Sequence, residues 1–443
     1  MVRRTHYCSE ISVCNIGQTV VLCGWVMAIR DKGSIVWVDV RDSSGVIQAV
    51  YEKSSVNSGE DVLYKEIASL KRESVIQVEG EIKEKPMGAR NKVGVELSIN
   101  EMKILSICKN LPFDIRENHD LSEKLSLKYR YLDMRRKYLH DNLLLRNKVT
   151  ILTRSFLERE GFLEVRTPHL VRPSRGGAKE FLVKTESGEF FALSQGPQIY
   201  MELMMAGGFD RCYQISHCIC NEGFRQNRQI EFDQLHCEMA FMDEIQIMDM
   251  FDKYIGYLYT NIIGGILKTI PRISWKDAMG KYGNESPDTS WSNNEFSPIW
   301  ITDIPMFKID KATGKYKIKH HPFTAVRESD YKYLESGEYK KVISRSYNLY
   351  INGVKVGGSS VRNYKRDIQE KLLHLSGVTN EEMGGFSHLL DAMDYGMPPH
   401  AGMSFGFDRL CALFGNSTIV KDYMFFPKSS SGKELLTGAP VRI

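Results

Sequence analysis

Between Thr19 and Cys108 the apolar and polar positions alternate in short runs: Thr19 to Met27, Ile35 to Val40, Val46 to Tyr51, Ser74 to Gly80, and a last run near Val93 to Ile99. Turn residues separate them, at Arg30 to Gly33 and at Ser43 to Gly45. A period of two puts alternate side chains on opposite faces, which predicts half-buried β-strands. A helical stretch falls between the third and fourth runs. Five strands with one helix at that point is the order of an oligonucleotide-binding (OB) barrel, although any small Greek-key barrel would satisfy it too.

The pattern then changes. Asn110 to Lys137 is charged, with few strand signals, and is read as a hinge. Leu145, Val149, Leu152 and Phe156 recur at helical spacing until Gly161 stops the run. Strands and helices alternate from there on. Arg211 to Ile219 and Ile230 to Phe241 flank a polar turn, the pattern of an antiparallel hairpin. The expected architecture is α+β: residues 1–108 as barrel, 109–142 as hinge, and 143–443 as a domain on a mostly antiparallel sheet.

Composition narrows the function. The 443 residues exceed one ordinary core and suggest roughly two or three domains. A net charge of +4, with 26% charged residues, excludes an unstructured polycation but leaves room for a basic groove. No run approaches the ~18 apolar residues of a membrane helix. The opening residues are polar, so a cytoplasmic protein is expected. The nine cysteines are an odd number, scattered apart from a cluster between Cys212 and Cys237, and read as reduced thiols.

Several segments together resemble bacterial aspartyl-tRNA synthetases, over nearly the whole chain. Trp25 with Arg30, Asp31, Lys32 and Gly33, then Asp39 to Asp42, is similar to that family's anticodon barrel, and Tyr129 to Arg136 to its hinge signature. Phe162 to Pro168 resembles the end of the first class II motif, Arg211 to Phe241 the second, and His400 to Arg409 the third. His320 to Thr324 and Gly357 to Arg362 are similar to two further substrate-site segments. The resemblance implies that Arg30, Trp37 and Gln48 meet a tRNA anticodon of the aspartate type, Trp37 by stacking if its side chain points outward rather than into the core. It implies that Arg409, Gly406 and Phe232 hold ATP, with Arg409 and Phe232 covering the adenine faces. Arg225 and Arg228 fall where the family touches ATP and the acceptor end, unless they form only a solvated basic loop. Glu222, Gln198, Gln234, Arg362, His320 and His321 fall at matching substrate positions. A homodimer through Leu145 to Pro168 is implied as well.

The match fails at charge-handling positions. Cys220 stands where the family's α-phosphate arginine would be, and Asn348 and Lys355 stand for its two magnesium carboxylates. Met201 replaces the lysine for the aspartate carboxylate, Gly176 an acidic loop residue and His236 an aspartate. Adenylation needs magnesium and an arginine at developing charge, and one lost donor of that kind costs ~10²–10³ in rate. The large insertion that bacterial members carry between the second and third motifs is also expected to be missing. The expected function is tRNA binding without ordinary aspartate adenylation. A working aspartate–tRNA ligase and a cleft turned to another substrate stay open beside it. Cys218 and Cys220 share one strand face with Glu222, and with His236 they could bind zinc or merely fill apolar gaps; no metal is assigned. Ser430 to Lys433 imitates the end of a phosphate loop without its upstream glycine.

Overall fold

The computed structural model describes residues 3–53, 61–85, 94–116, 121–173, 180–221, 229–288, 296–310, 314–319 and 321–442. The chain divides into two compact units, Met1–Asp114 and Ile115–Ile443.

The first unit is a closed barrel of β1 (Thr19–Asp31), β2 (Ile35–Arg41), β3 (Val46–Glu52), β4 (Val75–Glu84) and β5 (Val95–Ser106), in the order β1-β2-β3-β5-β4. Helix α1 (Val62–Ala68) falls between β3 and β4 and is capped by Asp61, whose side chain accepts from the Tyr64 amide at 2.9 Å. In β2, Val36, Val38 and Val40 are fully buried, while Trp37 and Asp39 between them are only partly so. This outward alternation settles the orientation of Trp37.

The second unit is built on an eight-stranded sheet. Two short helices, Glu123–Lys128 and Arg130–Asp133, precede the long α2 (Lys137–Arg159). The chain continues through β6 (Leu163–Glu164), α3 (Gln198–Ala206), β7 (Arg211–Ile219), β8 (Glu231–Ala240), α4 (Glu244–Ile262), β9 (Arg272–Ser274), β10 (Pro298–Thr302), β11 (Ser346–Ile351), β12 (Val354–Val361), β13 (His400–Gly406) and α5 (Phe407–Phe414). Sheet order is β9-β10-β11-β12-β13-β8-β7-β6, antiparallel except at its two ends.

Helix α2 buries Leu139, Leu143, Val149, Thr153, Phe156 and Leu157 along one stripe and ends before Gly161, whose φ of 78° is left-handed. Val149, Phe156 and Leu157 of that stripe pack with Phe251, Tyr254 and Leu258 of α4 on the sheet face carrying Leu235, Cys237, Met403 and Phe405. Each fully buried side chain of this size contributes about 1.5–3 kcal/mol. One face of the sheet is thereby consumed by the core, and the other is left to line a cleft.

Candidate active site

Strand register builds the cleft. His236, Ser404, Gly358 and Asn348 occupy one row across β8, β13, β12 and β11. Glu238, Gly402, Ser360 and Ser346 form the next row on the same face. Glycines make the floor by necessity. A Cβ at Gly402 would overlap the Glu238 carboxylate and the Arg362 guanidinium, and one at Gly358 would lie 2.7 Å from Asn348 Oδ1 and 3.0 Å from Lys355 Nζ. Above this floor is a cavity of about 370 Å³ lined by Gln198, His321, Asn348, Lys355, Arg362, Ser404, Gly406 and Arg409, among others. That volume is of ligand size.

One end of the cavity is a buried ionic network. Arg362 donates from Nε to Glu238 Oε1 at 3.0 Å, from Nη2 to Oε2 at 3.3 Å, and from Nη1 to Ser360 at 2.7 Å. His236 Nε2 lies 2.9 Å from the same carboxylate and its Nδ1 2.6 Å from Ser404 Oγ. Burial raises the Glu238 pKa, but Arg362 and then His236 outweigh it and hold the group well below the glutamate range. Gln198 donates to Glu202 at 2.7 Å and approaches His321 at 3.4 Å. Burial, with Arg362 and His236 nearby, pushes the His321 imidazole down to about 3, so it is neutral at pH 7. Met201 is fully buried in an apolar cluster with Met205, Cys212 and Ala240.

The other end carries Lys355 and Arg409. Arg409 Nη1 donates to the Lys355 carbonyl at 3.3 Å. Gly406 pairs with Gln234 in register, and Phe232 lies two residues further along β8. Arg146 of α2 joins these elements. It is buried, pairs with Asp408 and Asp233, and donates to the Tyr423 carbonyl at 3.1 Å, while Asp408 accepts from the Asp233 amide at 2.9 Å.

The cleft thus brings together Gln198, Gln234, His236, His321, Asn348, Lys355, Arg362, Gly406 and Arg409. Met201 is turned into the core. Cys220 is buried at the end of the hairpin strand, its amide bonded to the Ile230 carbonyl at 2.8 Å. Glu222, Arg225, Arg228, Gly176 and His320 lie outside the described residues. The zinc grouping requires a correction. His236 sits opposite Gln214, four residues from Cys218, or about 13 Å along a strand. No cluster of three or more ligating residues occurs among the described residues. Burial pushes the thiols of Cys212 and Cys218 up to about 12, as expected of gap-filling cysteines. The sequence reading missed Glu238, Glu202 and Arg146. Period two from Gln234 and His236 points to Glu238, and i,i+4 helical spacing from Gln198 points to Glu202.

In the barrel, Arg30, Trp37, Asp39 and Gln48 share the outer face of β1 to β3. Arg30 is opposite Trp37, Asp39 is opposite Gln48, and Arg30 grips Asp39 at 3.0 and 3.2 Å. The Arg30 side chain is still 51% exposed, which leaves it able to reach a ligand. Among the described residues no helix is long and apolar enough to cross a membrane.

Residues 122–430 match the family of class II tRNA synthetases (D, K and N), and residues 20–105 match the OB-fold nucleic acid binding domain. An aspartate–tRNA ligase of Amoebophilus asiaticus is 30% identical over 572 aligned positions, covering 99% of this chain and 97% of that protein. An aspartate–tRNA(Asp/Asn) ligase of a Hydrogenobaculum species is 32% identical over 580 positions, with 99% and 97% covered. Both alignments are longer than this chain, so the relatives carry stretches that it lacks. The asparaginyl-tRNA synthetase from Pyrococcus horikoshii complexed with asparaginyl-adenylate shares the fold, with a TM-score of 0.80 at 23% identity over 97% of this chain and 99% of that one. An OB barrel followed by a catalytic-type antiparallel sheet, matched end to end by such relatives, makes this chain a member of the aspartyl/asparaginyl-tRNA synthetase family of class II, a family of tRNA binding and aminoacylation.

Proposed function

We propose that this protein binds tRNA through its barrel and does not carry out ordinary magnesium-dependent adenylation of aspartate. The observation that carries the proposal is the charge balance at the amino-acid end of the cleft. Aspartate brings two carboxylates. Arg362 is already matched by Glu238, and Met201, at the position of the family's lysine, is packed into an apolar cluster. Among the described residues at that end Arg362 is the one permanent cation, so a second carboxylate would find no partner there, and an unpaired buried charge costs several kcal/mol.

ATP and magnesium, the cofactors of the family, fare differently. Arg409, Gly406 and Phe232 fit a nucleotide: a guanidinium on the cavity wall, a glycine that keeps the strand end open, and an aromatic face on the adjoining strand. Magnesium does not fit. It prefers carboxylate oxygens, and the two side chains offered are the amide of Asn348 and the ammonium of Lys355.

A second reading, a working aspartate–tRNA ligase, is favoured by relatives of that name matching nearly the whole chain. One pair of assays separates the two. The full chain should bind tRNA, with Trp37→Ala weakening it by ~1–3 kcal/mol through loss of a stacking face. It should show no aspartate-dependent exchange between ATP and pyrophosphate. Robust exchange at ordinary magnesium would make the ligase reading right, and unchanged tRNA binding by both Trp37→Ala and Arg30→Ala would remove the barrel from recognition.

A homodimer through residues 145–168 belongs to the same proposal. Ile151 of α2 and Leu163 of β6 are 58% and 45% exposed, and β6 ends the sheet. Such apolar exposure beside an open edge suits a second copy. Sedimentation should give a dimer that Ile151→Asp weakens; a monomeric parent would refute it. We also read the stretch missing relative to the longer relatives as the bacterial insertion domain, between Gly283 and Trp300. A pairwise alignment that put the gap elsewhere would contradict this.

A further inference from the structure

We infer that the Lys355 ammonium takes the place of the divalent cation, so that this cleft accepts the polyphosphate of a nucleotide without metal. The inference rests on reading the cleft as a nucleotide site and concerns how that site handles charge.

Lys355 enters from the start of β12 and lines the cavity. Its Nζ and Asn348 Oδ1 converge over Gly358, at 3.0 and 2.7 Å from the point a Cβ would occupy there. Glycine at 358 is what lets both tips reach that spot. The Lys355 ammonium itself makes no hydrogen bond or ion pair among the described residues, although its carbonyl accepts from Arg409. The carboxylate with most influence on it, Glu285, is engaged by Lys319 and by Trp275 Nε1. Burial is the main cause that pushes the ammonium down to about 8; Glu285 opposes this, while Arg409 and Lys319 add to it.

A cation held in this way is costly unless an anion meets it. Among the described residues that line the cavity none is a carboxylate, and Glu238 behind it is engaged by Arg362. An incoming polyphosphate would satisfy Lys355, with Arg409 on the same wall. A magnesium ion at that point would instead meet a like charge, with no carboxylate among the described lining residues to hold it and Glu285 already engaged by Lys319. The amide of Asn348 fits the same logic. Its carbonyl oxygen can accept from the ammonium and its NH₂ can donate to a phosphate oxygen, whereas a carboxylate there would repel the phosphate.

The test is equilibrium binding of ATP to the full chain, in excess EDTA and in excess magnesium. The parent should bind in EDTA at least as well as in magnesium. Lys355→Met, which keeps an unbranched side chain one atom shorter and removes its charge, should lose about tenfold or more in EDTA, as a lost charged hydrogen bond would predict. The double variant Asn348→Asp with Lys355→Glu restores a carboxylate pair and should bind ATP only when magnesium is present. Binding by the parent that requires magnesium would overturn the inference. So would undiminished binding by Lys355→Met, or no ATP binding in either buffer. If Lys355→Met fails to fold by thermal melting, the parent's EDTA arm and the double variant still decide. The outcome is separable from the proposed function: tRNA binding and aspartate-dependent exchange are read in other assays, and either can fail while metal-free ATP binding stands.

Discussion

Replacing Glu238 with alanine is expected to destabilise the second unit by about 3–5 kcal/mol, the cost of stripping the partner from a buried charge. Glu238 is fully buried and accepts two bonds from Arg362 and one from His236. Without it the guanidinium stays in the same low-dielectric row, with Ser360 and the more distant Glu202, 3.8 Å away, as its remaining partners. Glu238→Gln should cost less, because an amide keeps an acceptor for Arg362 but loses the charge. The pair also sets a sign for pH. The folded pKa of Glu238 lies below its unfolded value, so its contribution is complete above the ordinary glutamate range and is lost only as pH falls through the depressed folded value. Chemical denaturation as a function of pH checks both claims. Glu238→Ala should lower stability at neutral pH and flatten the acid limb. A variant as stable as the parent would mean that Arg362 finds another anion.

That network shows how far the sequence could be read. The barrel strands were legible because most of each alternates with period two between a buried and a wetter face, although β1 runs on through Arg30 and Asp31, read as turn, and β5 continues to Ser106 where the alternation lapses. Val36, Val38 and Val40 announce the interior, and so place Trp37 outside. The hairpin of β7 and β8 was legible for the same reason, and its bounds differ from the expectation by only a residue at each end of β8. Helix α3 gives no such guidance. Ile199, Met201, Leu203, Met204 and Met205 are apolar nearly all round, so periodicity cannot say whether Met201 faces the cleft or the core. β6 is two residues long and exposed, too short to carry a pattern. The first turn of α2, from Lys137 to His140, is mostly polar and lies in the stretch read as hinge; its burial comes chiefly from Leu139 and from contacts remote in sequence. Long-range partners were the least visible. Nothing local links Arg146 to Asp408, 262 residues away, or the Lys355 tip to Asn348 across a glycine.

Arg146→Ala is expected to cost a similar ~3–5 kcal/mol and, unlike Glu238→Ala, to disturb the nucleotide end of the cleft. Arg146 is 9% exposed on the long helix and meets Asp408 in the first turn of α5, Asp233 on β8 and the carbonyl of Tyr423. Removing it leaves two carboxylates near one another. Burial already raises the Asp408 pKa against the pull of Arg146, with Asp233 adding to the rise, so protonation of Asp408 is the expected relief. The neighbours of those carboxylates matter for function. Arg409 follows Asp408 in the chain, and Phe232 precedes Asp233, so slackening the joint moves both residues that would flank a nucleotide base. Arg146→Lys should recover part of the stability, since a lysine keeps the charge but cannot serve two carboxylates and a carbonyl with a planar fork. Denaturant melts give the stability order parent, Arg146→Lys, Arg146→Ala. ATP binding should weaken in that order too, while tRNA binding through the barrel, a separate unit, stays within experimental error. Loss of tRNA binding alongside ATP binding would show that the joint supports more than the cleft, and an Arg146→Ala protein as stable as the parent would remove the ion pairs from the account of how this fold is held.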